Sequence, residues 1–233
     1  MKRHFVSALC AAFLLTGACV LIASSAGAAA ATAADRALQE AWTAYNIGNY
    51  QKTLRLIEPL AGDGNPRAQV MLGRCYENGL GVRQDLGVAA QWFQLAAEQN
   101  DSEAQVLLAY CYEVGAGVPK DPQQVMNLMT RAAESGNAEA QFNLALNYSQ
   151  GLYGAPKNEQ ESFRWASLSA QQGYAQAERF LGACYQYGFG VTADQALAQE
   201  WYAKAEAQGL SREGSIFNKV TDYTMPASEA VQQ

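Results

Sequence analysis

The residues that could do chemistry are few and stand far apart along the chain. The 233 residues include one histidine, His4, which lies in a leader that we expect to be removed. A chain without histidine cannot use Ser-His-Asp or Cys-His catalysis, or bind a metal through imidazole. Glu98, Asp101 and Glu103 are close in sequence, but carboxylates at helix starts are typically solvated beside the helix dipole. We therefore predict no catalytic residue, no metal site and no cofactor.

Three cysteines follow the leader: Cys75, Cys111 and Cys184. They occupy the same position of a repeated helix, on its core side, where a small buried hydrophobic residue is the favoured interpretation. An odd number of cysteines in an exported chain leaves at least one thiol unpaired, or pairs two chains.

A second class of candidate residues could bind a partner. They lie two and six residues after a recurring alanine, on the helix face opposite the alanine. A solvated face should be polar there, yet in the two central copies it is apolar, while arginines in the outer copies could bind a carboxylate. The alternative, that these side chains pack against the adjacent repeat, is equally open. The candidate partner-binding residues are Arg74, Val106, Tyr110, Phe142, Leu146 and Arg179.

The beginning of the chain has the features of a secretory signal peptide. Basic residues precede an apolar run from Phe5 to Ala23, and Ala26-Gly27-Ala28 fits a cleavage site. We therefore expect a bacterial periplasmic or secreted protein without a membrane span, with a lipidated or anchored form as the alternative. Cleavage removes two basic residues and takes the formal charge from −6 to −8. An acidic chain without a basic cluster is a poor ligand for nucleic acid.

The remaining chain is built on a repeat of 36 or 37 residues. Ala, Leu and Tyr recur at i, i+4 and i+8 of a first helix, which places them on one stripe. A turn with two glycines follows, and an Asp or Asn then caps a second helix. The first glycine suits the left-handed conformation, and the second lets neighbouring backbone approach. The columns are Ala68, Ala104, Ala140 and Ala177; Leu72, Leu108, Leu144 and Leu181; and Tyr76, Tyr112, Tyr148 and Tyr185.

These residues resemble Sel1-like repeats, relatives of the tetratricopeptide repeat, with the pattern A-x3-L-x3-Y-x2-G-x-G-V-x2-D. The copy at 104–121 fits that pattern throughout, whereas the copy at 140–158 has an inserted residue in GLYGAPKN, so we expect a reshaped turn. The resemblance implies an all-α, α/α superhelical solenoid of stacked antiparallel helix pairs. The expected segments are a signal peptide at 1–28, a tetratricopeptide-like pair at 29–65, repeats at 66–100, 101–137, 138–174 and 175–210, and a capping helix with a tail at 211–233.

The resemblance also implies a function. Relatives act as scaffolds or regulators, so we expect an exported, monomeric, non-enzymatic adaptor that binds a protein or peptide on its concave face, where the first helices lie. One alternative is a β-lactamase-like hydrolase, an activity ascribed to cysteine-rich relatives. Those relatives carry paired cysteines in each repeat, and this chain has one cysteine in each of three repeats. The other alternative is a peptidoglycan-binding envelope factor.

Overall fold

The computed structural model describes residues 33–211, which form ten α-helices and no strand. The described residues divide between Gln84 and Asp85 into two compact units. The helices are α1 (33–46), α2 (Tyr50–Gly62), α3 (Pro66–Asn78), α4 (Leu86–Glu98), α5 (Ser102–Val114), α6 (Pro122–Glu134), α7 (Ala138–Gln150), α8 (Glu159–Gln171), α9 (Ala175–Tyr187) and α10 (Gln195–Ala207).

The first unit contains α1 to α3. The Thr53 hydroxyl donates a hydrogen bond to a carbonyl of α1, and the Gln69 amide donates to the Ala61 carbonyl, so α2 contacts both neighbours. Proline usually ends or kinks a helix, yet α2 continues past Pro59 to Gly62. The ring removes only the bond that an N–H at this position would donate to the Arg55 carbonyl, and the turn still closes, with the Asp63 N–H donating to the Pro59 carbonyl at 2.9 Å.

In the second unit each helix from α4 to α10 packs on the next one along the chain. The first helices α5, α7 and α9 pair with α6, α8 and α10, and the pairs stack on one another. The predicted caps are present: the carboxylates of Asp85, Asp121 and Asp194 accept backbone N–H groups of the following helix. The fold class is therefore the predicted all-α solenoid of stacked helix pairs.

The alanine and leucine columns of the predicted core are buried, whereas the column tyrosines are half-buried. The column alanines are 0 % exposed, and the column leucines are at most 4 % exposed. Cys75, Cys111 and Cys184 are also buried, as expected of small core residues. Burial raises the pKa of the Cys75 thiol to about 11, and it also raises the pKa of Cys184. These thiols therefore belong to the packing of the fold.

The turn of the second repeat confirms the roles predicted for its two glycines. Gly115 ends α5 in the left-handed region, with φ 80°. A Cβ on Gly117 would lie 2.1 Å from the carbonyl oxygen of Leu86, the first residue of α4. Only a glycine allows the turn to lie that close to the start of the preceding second helix.

The turn of the third repeat is reshaped, as its inserted residue predicts. Gly154 has a positive φ, but a Cβ there would meet nothing within 4 Å. Tyr153 adopts a left-handed conformation with φ 52°, and its hydroxyl donates a hydrogen bond to the Glu113 carboxylate of α5. This turn therefore contacts the preceding repeat through a side chain instead of through close backbone packing.

A buried glutamine after the column alanine is a feature that the sequence analysis missed. Its amide donates a hydrogen bond to a carbonyl at the end of the preceding second helix, where carbonyls lack helical partners. In the third repeat the amide oxygen of this residue, Gln141, also accepts from Gln172 at 2.8 Å. The pairs are Gln69 with Ala61 (3.2 Å), Gln105 with Ala97 (3.4 Å) and Gln141 with Ala133 (3.1 Å).

The predicted signal peptide at 1–28 lies outside the described residues, as does the predicted capping helix and tail after residue 211. Among the helices of residues 33–211, none is both long and apolar enough to cross a membrane.

Candidate functional site

The structure separates the six predicted partner-binding residues by exposure. Val106, Phe142 and Arg179, two residues after the column alanine, are 3 %, 5 % and 2 % exposed. Tyr110 and Leu146, six residues after it, are half-buried. That a partner binds at these positions stays a prediction, but only the second pair presents side chains at the surface of the second unit.

The buried positions serve packing between repeats. The ring of Phe142 on α7 lies 5.6 Å from Tyr174, the last residue of its own repeat, and 6.1 Å from Phe180 on α9 of the next repeat. The Arg179 guanidinium donates a hydrogen bond to the carbonyl of Ser211, and its burial lowers its pKa. The alternative that these side chains pack against neighbouring structure therefore describes them better than an exposed binding role.

Arg74 belongs to the first unit, where it is half-buried on α3. Its positive charge acts on the Tyr45 hydroxyl, opposing the increase in the pKa of Tyr45 that burial causes. This arginine is thus close to an aromatic residue of α1 within its own unit.

One stripe of half-buried and exposed side chains runs along the first helices of the second unit. They lie one residue before the column alanine and three, six and ten residues after it, a spacing that keeps them on one helix face. We call the eight of them on α5 and α7 the first-helix face. Its residues are Glu103, Leu107, Tyr110, Val114, Glu139, Asn143, Leu146 and Gln150.

Hydrogen bonds join the two helices of this face at Tyr110. Its hydroxyl donates to a Glu139 carboxylate oxygen at 3.0 Å and accepts from the Asn143 amide at 2.8 Å. Burial raises the pKa of Tyr110, and the negative charge of Glu139 raises it further. The hydroxyl therefore stays protonated at physiological pH and orients one oxygen of Glu139.

A second tyrosine, Tyr174, immediately precedes α9 and lies close enough to Glu139 for the charge of the carboxylate to act on its hydroxyl. Burial raises the pKa of Tyr174, and the charge of Glu139 adds to the effect. Within residues 33–211 the Tyr174 hydroxyl has no hydrogen-bond partner. Glu139 thus has two tyrosines in its vicinity, and the hydroxyl of Tyr174 retains an unused donor and acceptor.

Sequence reasoning missed Leu107, Glu139, Asn143 and Tyr174. The first three could have been found from the sequence. The positions one residue before the column alanine and three residues after it lie on the same helix face as the position six residues after it. Tyr174 precedes its helix, so helical periodicity could not find it.

Metal binding finds no support in the described part of the chain. No group of three or more His, Cys, Asp or Glu side chains there could hold a metal ion.

Two curated relatives match much of this chain. Chitin synthase regulatory factor 3 of Schizosaccharomyces pombe is 31 % identical over 195 residues, which are 78 % of this chain and 17 % of that protein. Chitin synthase regulator SKT5 of Malassezia restricta is 32 % identical over 155 residues, 66 % of this chain and 8 % of that protein. The chain thus spans less than a fifth of either relative. These are fungal regulators and not bacterial periplasmic proteins, so the predicted periplasmic or secreted location is contradicted.

Solved structures of bacterial proteins share the fold. A Sel1 repeat protein from Oxalobacter formigenes is 29 % identical with a TM-score of 0.66, covering 74 % of this chain and 70 % of that one. A protective antigen of uropathogenic Escherichia coli is 38 % identical with a TM-score of 0.64, covering 67 % of this chain and 33 % of that one.

The family model for the Sel1 repeat matches four consecutive segments: 66–101, 102–137, 138–174 and 175–210. Each segment contains one first helix, its glycine turn and the second helix that follows. The matched segments make up more than half of the sequence, and the chain therefore belongs to the Sel1 repeat family.

Proposed function

We propose that this chain is a non-enzymatic adaptor that binds a segment of a partner protein on the first-helix face of its second unit. The observation that carries the proposal is the set of aliphatic side chains that this face leaves partly exposed. Leu107 and Leu146 are half-buried, and Val114 is 61 % exposed. A helix face that met only water would place polar residues at these positions.

The chemistry of the face supports binding over catalysis. General acid–base groups work best with a pKa near the operating pH, whereas the pKa of Tyr110 lies far above it. Of the three cysteines, Cys184 is fully buried with a raised pKa, which leaves little thiolate to act as a nucleophile. Stacked helical repeats more often present an extended surface to a protein partner.

The names of the curated relatives support a regulatory consequence of binding. Both are called regulators of chitin synthase, and neither name describes an enzyme. This chain matches only a small part of each relative. We therefore propose that it shares their regulatory type of role, and we do not propose that it acts on chitin synthase. The adaptor would change the behaviour of the protein that it binds.

Site-specific photo-crosslinking tests this proposal. A benzophenone amino acid replaces Leu146 on the first-helix face or, as a matched control, Leu95 on α4, which is 44 % exposed. The chain is expressed in its native cells, irradiated, and the adducts are identified by mass spectrometry. We expect a discrete protein adduct at position 146 and none at position 95. Absence of an adduct at 146, or the same adducts at both positions, would contradict the proposal, and nitrocefin turnover by purified protein would contradict its non-enzymatic part.

A further inference from the structure

The two helices of the first-helix face carry acidic side chains and no basic side chain. The sequence of α5 contains Glu103 and Glu113, and that of α7 contains Glu139. Neither helix contains Lys or Arg. The charged side chains that α5 and α7 themselves contribute are therefore all of one sign, with apolar side chains beside them.

Glu139 has a free capacity for binding a cation. It is half-buried, and its hydrogen bond within residues 33–211 is the one that Tyr110 donates to Oε1. No Lys or Arg of the described residues lies within 4.0 Å of it, and its second oxygen has no donor there. A carboxylate that has lost part of its water without gaining a counter-charge gains more from a cation than a solvated one does.

The two tyrosines near Glu139 suit the same ligand. Tyrosine rings attract a Lys or Arg cation, most strongly where water is partly excluded. The Tyr174 ring is fixed by its contact with Phe142, with centroids 5.6 Å apart, and its hydroxyl is unused within the described part of the chain. Tyr110 is fixed by its two hydrogen bonds. The cation site is thus held in place before a partner arrives.

An apolar contact lies at a defined distance from this site. Leu146 is seven residues after Glu139 on α7, a separation of about 10 Å along the helix axis. An extended partner chain covers that distance in about three residues, because each residue of a strand spans ~3.3 Å. A helical partner covers it in about seven residues.

We propose that the first-helix face binds a partner segment that places a lysine or arginine on Glu139 and an apolar side chain on Leu146. The inference rests on the proposed function and adds the chemistry of the partner. Glu139 supplies the charge, the nearby rings of Tyr110 and Tyr174 attract the cation, and Leu107 and Leu146 take up the apolar part. Complementarity of this kind fixes the register of the bound segment.

Peptide selection tests the inference without knowledge of the natural partner. Random dodecapeptides displayed on phage are selected against the full-length chain, and the dissociation constants of synthetic copies are measured by calorimetry. The basic residue of each selected peptide is then replaced by norleucine for lysine or citrulline for arginine. The protein variants are Glu139→Gln, whose amide oxygen can still accept from Tyr110, and Glu200→Gln, which removes one exposed charge from α10.

We expect selected peptides to share a basic residue and to bind Glu139→Gln roughly tenfold more weakly than wild type, the effect of losing one charge-assisted hydrogen bond. Neutralising the basic residue should cost a similar factor with wild type and less than about twofold with Glu139→Gln, because the two groups act on each other. Glu200→Gln should bind like wild type. A raised salt concentration should weaken binding to wild type more than to Glu139→Gln.

Other results separate this inference from the proposed function. The selected peptides could instead lose affinity for Leu146→Ala, need no basic residue and bind Glu139→Gln as tightly as wild type. That result would overturn the basic partner and leave the binding face intact. Failure to select any peptide that responds to either variant would overturn both. If a synthetic peptide of residues 212–233 displaces the selected peptides in a Glu139-dependent manner, the occupant is this chain's own C-terminal segment, and the inference of a partner is wrong.

Discussion

Separate replacement of Phe142 and Leu146 by alanine should show that Phe142 is a packing residue and Leu146 a binding residue of the predicted site. Phe142 is 5 % exposed, with Tyr174 and Phe180 rings at 5.6 and 6.1 Å. Truncating such a ring costs ~3–5 kcal/mol of unfolding free energy. Leu146 is half-buried, so its truncation should cost about 1 kcal/mol, half the value for full burial. Because small domains are stable by only ~5–15 kcal/mol, the first change removes a large share of stability.

Urea unfolding followed by circular dichroism at the helix band measures both changes. The comparison holds if the slope against urea stays unchanged, since a changed slope would signal loss of two-state behaviour between repeats. Phe142→Leu is a useful third variant, and it should recover most of the lost stability. The reasoning is refuted if Phe142→Ala and Leu146→Ala differ by less than about 1 kcal/mol. If it holds, lost binding by Phe142→Ala reports partial unfolding, and only Leu146→Ala tests the face itself.

Two further changes test the turn and the tyrosine network. Gly117→Ala should destabilise the chain by several kcal/mol more than Gly154→Ala. Both glycines have a positive φ, which costs ~1–2 kcal/mol for alanine. Only at Gly117 would the new Cβ also clash, because it would lie 2.1 Å from a backbone oxygen. Equal losses in thermal unfolding would refute the close approach. Tyr110→Phe should cost ~1 kcal/mol at neutral pH. The stability of Tyr110→Phe should also fall less than that of wild type above pH ~10. In wild type, the raised pKa of Tyr110 gives a stabilisation that is complete below the unfolded pKa of 10.0. This stabilisation is lost as the pH rises towards the folded pKa. Parallel unfolding-versus-pH curves would contradict this.

The parts of the fold that the sequence predicts are those set by local chemistry. Asn65 and Pro66 predict the start of α3, and Asn65 accepts the N–H of Ala68 as a cap should. Asp121 likewise begins α6. The inserted residue in the third repeat predicts an altered turn, and Tyr153 shows how the turn changes. Each of these features depends on a few adjacent residues, so no knowledge of the stacked repeats is needed.

The candidate site is less predictable because stacking decides which apolar positions are covered. Val106 and Leu107 are adjacent and both apolar, yet Val106 is 3 % exposed and Leu107 is half-buried. They differ by about 100° around α5, and the packing of the surrounding helices determines which of the two directions is covered. On α7 the sequence does contain the contrast, with Phe142 inside and Asn143 at the surface. Comparing the same two positions across repeats would therefore have indicated the exposed stripe.

The buried and exposed stripes also constrain the side chain at each position differently. A buried position must fit a fixed space, so the side chain at position 142 has to fit against the rings of Tyr174 and Phe180. A partly exposed position on the first-helix face is not constrained in this way. Glu139 meets no cation within 4.0 Å among the described residues, although a partly desolvated carboxylate without one is unfavourable. A fold that needed Glu139 only for stability would gain by pairing it, and this is why its unpaired oxygen argues for a ligand outside the described residues.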